Sequence, residues 1–304
     1  MNIGYVGVGA MGGAIARRLL LTYKLLVYDL DESAMQHLTA RGAVGCADLA
    51  ELGARCDVIL LCLPTSDQVR SVIFGQGGLV GAVRPGTLII DQTSGDPNAT
   101  RAMAAELAGS QVDLVDAPVS GGARAAEAGT LAIMVGAGAE QYGRLLPVLN
   151  AISPNVMHAG GVGAGQIMKL VNNLLSTAQR LLTFEGVALA AKNGVDPRRA
   201  VEILLVGGGR NSYLENIMGP LVLNGQLDTG FTLGLAHKDI RLACQLGIES
   251  DVPMFFGSLT RELYQTYISE LGCDAKVDRA ARVVDRLAGT RVVPAGQAAF
   301  GSGE

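Results

Sequence analysis

The first thirty residues constrain the fold most. Asn2-Ile3-Gly4-Tyr5-Val6 is a short apolar run, and Gly7-Val8-Gly9-Ala10-Met11-Gly12 is a turn with glycines at fixed spacing. Gly13-Ala14-Ile15-Ala16-Arg17-Arg18-Leu19-Leu20 then reads as a helix. A second strand, Lys24 to Tyr28, ends in Asp29, twenty residues after Gly9 and seventeen after Gly12. A lone G-x-G-x-x-G is weak, but one set between strand and helix, with an acid closing the next strand, marks a dinucleotide-binding βαβ unit. Gly7 permits the tight turn, Gly9 lets the backbone approach a pyrophosphate, and Gly12 lets the helix pack on the strand. The phosphates then meet the N–H groups of the helix start, at Ala10 and Met11, where the dipole favours an anion.

Asp29 is placed to accept from ribose hydroxyls. A 2′-phosphate there would meet Asp29 and Asp31, with no Arg or Lys between them, so NAD is expected over NADP. Asp31, just before Glu32-Ser33, reads better as an acid at a helix N-cap.

The α/β alternation continues with a helix at Ser33 to Arg41, a strand at Val44 to Cys46 and a helix at Asp48 to Ala54. Buried-type strands follow at Val58 to Leu63, Thr87 to Asp91, Val112 to Pro118 and Leu131 to Val135. Continuous apolar strands between helices indicate a parallel sheet covered on both faces. Ligands on such sheets sit beyond the carboxyl ends of the strands. That makes Leu63-Pro64-Thr65 and Asp91-Gln92-Thr93-Ser94 candidates for lining the nicotinamide side. The alternative for Thr65, Thr93 and Ser94 is turn and cap chemistry, with Asp96-Pro97 opening the next helix. Ser120-Gly121-Gly122, after a strand and Pro118, offers a hydroxyl and open backbone N–H groups, a nest suited to a carboxylate. Its alternative is a flexible glycine turn.

Gly163 to Gly194 reads as one helix between glycines, about 45 Å long at ~1.5 Å per residue. Ile167, Leu170, Val171, Leu174, Leu175, Ala178, Leu181 and Leu182 recur at helical spacing and predict a core-facing stripe. Glu185 falls on that stripe and is expected to find a partner, since a buried charge needs one. Lys169 and Asn173 lie one turn apart on one face. The remainder reads as helical: Asp196 to Leu205, a break at Gly207-Gly208-Gly209-Arg210, then Phe231 to Leu246, Met254 to Ile268 and Val277 to Leu287. The expected division is a dinucleotide-binding domain at 1–162, an all-helical substrate and dimerisation domain at 163–294, and a flexible tail at 295–304. Lys238 and Arg210 are the cations expected to face a substrate. Their alternative is a surface charge with its stem packed on apolar neighbours.

Composition removes other classes. A net charge of −4 and 4% aromatics over 304 residues leave neither a basic stripe for phosphates nor stacking platforms for bases. Five widely spaced cysteines fit free thiols in a reducing cytoplasm. His37, His158 and His237 show no ligand spacing, so no metal is expected. No signal peptide is evident, and no apolar run is long enough to span a bilayer.

Together these residues resemble the β-hydroxyacid dehydrogenase family, over nearly the whole chain. The carrying motifs are Gly7 to Gly12, Asp116-Ala117-Pro118-Val119-Ser120-Gly121-Gly122, Gly163-Ala164-Gly165 with Lys169 and Asn172-Asn173, and Lys238-Asp239. The resemblance implies a Rossmann-type domain, a long interdomain helix, a helical second domain and a homodimer or homotetramer. It implies that Lys169 is the catalytic Lys with Asn173 beside it, that Ser120, Gly121 and Gly122 hold the substrate carboxylate, and that Lys238 closes the site. Asp29 stands where NADP-using relatives tend to carry an Asn-Arg pair, in line with NAD. The implied reaction moves a hydride between nicotinamide and a small 3-hydroxy carboxylate. A free Lys titrates near 10.4, and burial beside a cationic ring would bring Lys169 into range for proton transfer. The alternatives are a semialdehyde reductase running the other way and a dinucleotide-binding module without catalysis. The second of these would not need Lys169, Asn173 and Ser120 together.

Overall fold

The computed structural model describes residues 1–228 and 230–294. The tail at 295–304, expected to be flexible, lies outside the described residues. The chain forms two compact units that divide between Leu170 and Val171.

The first unit runs β1 (Ile3–Val6), α1 (Ala10–Leu19), β2 (Leu25–Tyr28), α2 (Glu32–Thr39), β3 (Val44–Gly45), α3 (Leu49–Arg55), β4 (Val58–Leu61), α4 (Ser66–Phe74), β5 (Leu88–Asp91), α5 (Pro97–Ala108), β6 (Asp113–Asp116), β7 (Val119–Ser120), α6 (Gly122–Ala128), β8 (Ala132–Gly136), α7 (Ala139–Ile152) and β9 (Val156–Gly160). The sheet order is β3-β2-β1-β4-β5-β6-β8-β7, with β9 paired to β8. Strand order reverses direction from β1, so β1 and β4 flank the crevice where such sheets take ligands. Leu60 and Ile90 pack into one core with Ile15 and Leu19 of α1. Ile59, Leu61 and Ile89 pack into a second with Val69 of α4 and Leu107 of α5. Burial on both faces is why these strands are apolar at every position.

Two expectations need correction here. The sheet is mixed rather than parallel throughout, because β8 runs antiparallel to β6 and β7. The stretch between Gly122 and the strand at Leu131, which reads from the sequence as a loop, instead forms α6 from Gly122 to Ala128. Sequence reading also left α4, α7 and β9 unassigned. Pro147 lies inside α7 and masks it, since Pro normally argues against a helix interior. In α4 only Val69 and Ile73 are buried, too few to set a periodicity.

The long helix α8 (Ala164–Lys192) is as expected, and the division between units falls within it. The second unit continues with α9 (Pro197–Val206), α10 (Leu233–Glu249), α11 (Phe255–Leu271) and α12 (Ala280–Ala288), with short helical turns at Leu214–Met218, Val222–Asn224 and Val277–Arg279. Asp196 starts α9 by accepting from the Arg198 and Arg199 N–H groups, with Pro197 in the first turn. Among the described residues its strand-like pairing is a single bridge, Thr232 to Lys276. Its core gathers Leu181, Phe184 and Val187 with Met218, Val222, Ile240 and Tyr264.

The predicted stripe of α8 is corrected in part. Leu170 and Leu181 are buried, but Val171, Leu175 and Leu182 are exposed, Leu182 by 67%. The buried positions include polar ones instead: Gln166, Lys169, Asn173, Thr177 and Thr183. Glu185 is exposed, so the partner expected for a buried charge is not required. No helix among the described residues is long and apolar enough to cross a membrane.

Candidate active site

The glycine turn has the shape its spacing predicts. Gly7 has φ +85°, and a Cβ there would strike the Cys62 carbonyl. A Cβ at Gly12 would strike the Gly7 carbonyl, whereas one at Gly9 would meet nothing within 4 Å. The turn is thus closed toward the protein and open in front of Gly9. Gly9 caps α1 without a side-chain bond, and the first turn of α1 carries no acid. An open, uncapped helix start of this kind fits an anionic dinucleotide.

Asp29 is fixed from both sides. Its Oδ2 accepts from the Val8 N–H at 2.6 Å and its Oδ1 from the Asp31 N–H at 3.0 Å. Each oxygen keeps a second lone pair for a hydroxyl. Asp31 caps α2 as expected, accepting from the Ser33 N–H and hydroxyl. That hydroxyl holds its carboxyl below the usual range.

At the carboxyl ends of β4 and β5, the Leu63 N–H donates to Thr93 Oγ1 at 3.1 Å. Thr93 is buried and its own N–H donates to Asp91 Oδ1. The structure therefore joins two of the predicted cofactor-side stretches. Thr65 caps α4 through the Gln68 N–H, and Asp96 caps α5 through the Asn98 N–H. Ser120 ends β7, and Gly121 follows with φ +132°. A Cβ at Gly121 would stand 2.7 Å from the Ala125 Cβ. Gly121 and Gly122 are both exposed.

Lys169 is only 9% exposed on α8. Lysine is seldom so buried unless it is paired or in use. One turn on, Asn173 Nδ2 donates to Asp239 Oδ2 at 2.6 Å, and Lys238 Nζ forms an ion pair with Asp239 Oδ1 at 3.2 Å. Asn173 and Lys238 thus share one buried carboxylate. Asp239 had no assigned role in the sequence reading, although it stood beside Lys238 in a quoted motif. Arg210 pairs with Glu215 at an exposed position. Thr100 and Gln166 were overlooked, and Asp91 and Asp116, quoted within candidate stretches, were given no role of their own; all four are fully buried. Their signal was faint, an acid closing each of two successive apolar strands.

His158 Nε2 lies 2.8 Å from the Ala137 carbonyl and its ring packs on Tyr142. Among the described residues no group of three His, Cys, Asp or Glu side chains is placed to hold a metal. All five cysteines are free thiols. Burial pushes the Cys62 thiol up to about 12, with Asp91 adding to the effect, so it is no ready nucleophile.

Comparison with known proteins identifies the family. Residues 2–161 match the family model for the NAD-binding domain of 6-phosphogluconate dehydrogenase. Residues 163–284 match the model described as NAD-binding of NADP-dependent 3-hydroxyisobutyrate dehydrogenase. The chain is 36% identical to the 2-(hydroxymethyl)glutarate dehydrogenase of Eubacterium barkeri over 266 residues, covering 87% of this chain and 88% of that one. It is 32% identical to the 3-sulfolactaldehyde reductase of Escherichia coli strain K12, covering 86% and 88%. The solved Mycobacterium tuberculosis 3-hydroxyisobutyrate dehydrogenase with L-serine superposes with a TM-score of 0.83 at 26% identity, covering 93% of this chain and 98% of that one. With its NAD(P)-binding domain and helical second unit, the chain belongs to the β-hydroxyacid dehydrogenase family and is an oxidoreductase acting on the CH–OH group of hydroxyacids.

Proposed function

We propose that the protein is an NAD-dependent dehydrogenase of a small 3-hydroxy carboxylate resembling 3-hydroxyisobutyrate, with Lys169 as the general acid and base. The near-complete burial of Lys169, one helical turn before Asn173, carries this reading. Gly7, Gly9, Ala10, Met11 and Gly12 would hold the pyrophosphate, Asp29 the ribose, and Leu63, Pro64 and Thr93 the nicotinamide side. When bound, the nicotinamide exchanges a hydride with the substrate carbon. Lys169 takes the hydroxyl proton during oxidation and returns it to the carbonyl oxygen during reduction. Asn173, itself held by Asp239, orients the reacting oxygen. Ser120 with the Gly121 and Gly122 N–H groups binds the carboxylate, and Lys238 adds a positive charge. Arg210 would reach a further anionic group on a longer substrate.

Asp29 supports NAD, because a 2′-phosphate beside its carboxylate is repelled. A sulfolactaldehyde-reducing relative favours a second reading, in which the physiological direction is reduction of a semialdehyde. Free thiols fit a cytoplasmic setting. Leu175, Leu182 and Leu189 lie seven residues apart and are all exposed, which supports a homo-oligomer with a second copy covering that row.

The test is a panel of 3-hydroxyisobutyrate, 2-(hydroxymethyl)glutarate and L-serine with NAD and with NADP. Lys169→Ala is expected to lower turnover by a factor on the order of 100 to 10,000 while NADH still binds. Undiminished turnover in that variant overturns the role of Lys169, and a higher kcat/KM with NADP overturns the cofactor assignment.

A further inference from the structure

The strands β5 and β6 lie side by side in parallel register, with Asp91 opposite Asp116. Two fully buried carboxylates therefore close neighbouring strands, about 4.8 Å apart at the backbone. Both are used by the beginning of α8. Asp116 Oδ1 accepts from the Gly163 N–H at 2.6 Å and Oδ2 from the Gln166 N–H at 2.8 Å. The Gln166 side chain then bridges outward. Its Oε1 accepts from Thr100 Oγ1 at 2.9 Å, and its Nε2 donates to Asp91 Oδ2 at 3.2 Å. The backbone is pared down around this set. A Cβ at Gly136 would strike the Asp116 carboxylate, and one at Gly165 would stand 2.9 Å from Asp116 Oδ2. A Cβ at Gly95 would stand 3.2 Å from Gln166 Nε2.

We propose that Asp116, Gln166, Asp91 and Thr100 form a clasp that positions the reaction, fixing the first turn of α8 so that Lys169 stands in one place. This rests on Lys169 being the proton-transferring group. Lys169 lies three residues beyond Gln166, on the same face of the helix. Apolar packing would hold a helix against a sheet but lets it slide and roll. Directional bonds to both oxygens of one carboxylate and to both ends of one amide remove that freedom. Buried polar groups carry a desolvation cost, and the fold bears it here in return for alignment. A displacement of about 1 Å at a catalytic group costs on the order of 100-fold in rate.

The experiment compares Gln166→Leu and Thr100→Val with the wild type and Lys169→Ala in the full chain. It uses the hydroxyacid panel with NAD, NADH binding followed by nicotinamide fluorescence, and the pH profile of kcat. Gln166→Leu is expected to lower kcat about 10- to 100-fold, with Thr100→Val lowering it less, while the Kd for NADH stays within about twofold and the pH profile shifts. Should Gln166→Leu fail to fold, Thr100→Val decides alone. Wild-type kcat and pH profile in the folded variants overturn the clasp, as does a parallel fall of kcat, NADH binding and thermal stability. An active Lys169→Ala overturns the reading of Lys169 and the clasp with it. An inactive Lys169→Ala beside unaltered Thr100→Val and Gln166→Leu overturns the clasp alone.

Discussion

The two units each bury a carboxylate completely, and they support it differently. In the first unit Asp116 is met by backbone N–H groups of Gly163 and Gln166. In the second, Asp278 is met by charge and by a phenol. Arg180 Nε lies 3.2 Å from Asp278 Oδ1, Tyr213 donates to the same oxygen at 2.5 Å, and the Arg180 guanidinium stacks over the Tyr213 ring. Burial, reinforced by the Asp278 carboxylate, holds the Tyr213 phenol well above its ordinary range. Burial also raises the Asp116 carboxyl, because the N–H dipoles around it only partly replace water. Dipoles give direction, which suits a group that must aim a helix. An ion pair gives cohesion, which suits the core of a helical unit.

The largest effect should come from breaking the charged cluster. Asp278→Ala leaves Arg180, whose side chain is 12% exposed, as an uncompensated buried cation. It is expected to cost about 3–5 kcal/mol, read as a lowered urea midpoint. A loss below about 1 kcal/mol would place this pair with ordinary surface pairs and remove the contrast.

A smaller effect sharpens the other side. The Asp116 carboxyl is raised in the folded state above its unfolded value near 3.9. Its stability contribution is therefore fully present below that value and is lost as pH rises through the folded value. Relative to Asp116→Asn, the wild type should lose stability as pH rises above about 4, by about 1.4 kcal/mol for each tenfold change in proton affinity. Urea unfolding across that range measures the difference, and a flat difference contradicts the assignment.

The smallest effect on stability belongs to the exposed row of α8. Leu182→Glu should change the unfolding free energy of the folded chain by no more than about 0.5 kcal/mol. If the proposed homo-oligomer forms through this row, sedimentation should show a shift toward smaller species, and an unchanged mass removes the row from the proposed contact.

Much of the first unit was legible because each signal was local. The glycine turn, Asp31 and Asp96-Pro97 act within a few residues of themselves, and all took the expected conformations. The apolar strands were legible because burial on both faces leaves no polar position. The clasp was not, since Gln166 reaches Asp91 and Thr100 across 75 and 66 residues. Asp239 escaped for the same reason, answering Asn173 from 66 residues away.

The chain by itself determined most of the element types, the dinucleotide turn and the placing of Lys169 and Asn173 on one helix, because these depend on spacing along the backbone. Only the tertiary structure decided which face of α8 is buried. A helical periodicity shows that apolar residues recur, but not what packs on them. Here Leu175, Leu182 and Leu189 stay outside while Gln166, Lys169 and Asn173 go in. Partners distant in sequence, with hydrogen bonds of their own to offer, make that burial tolerable.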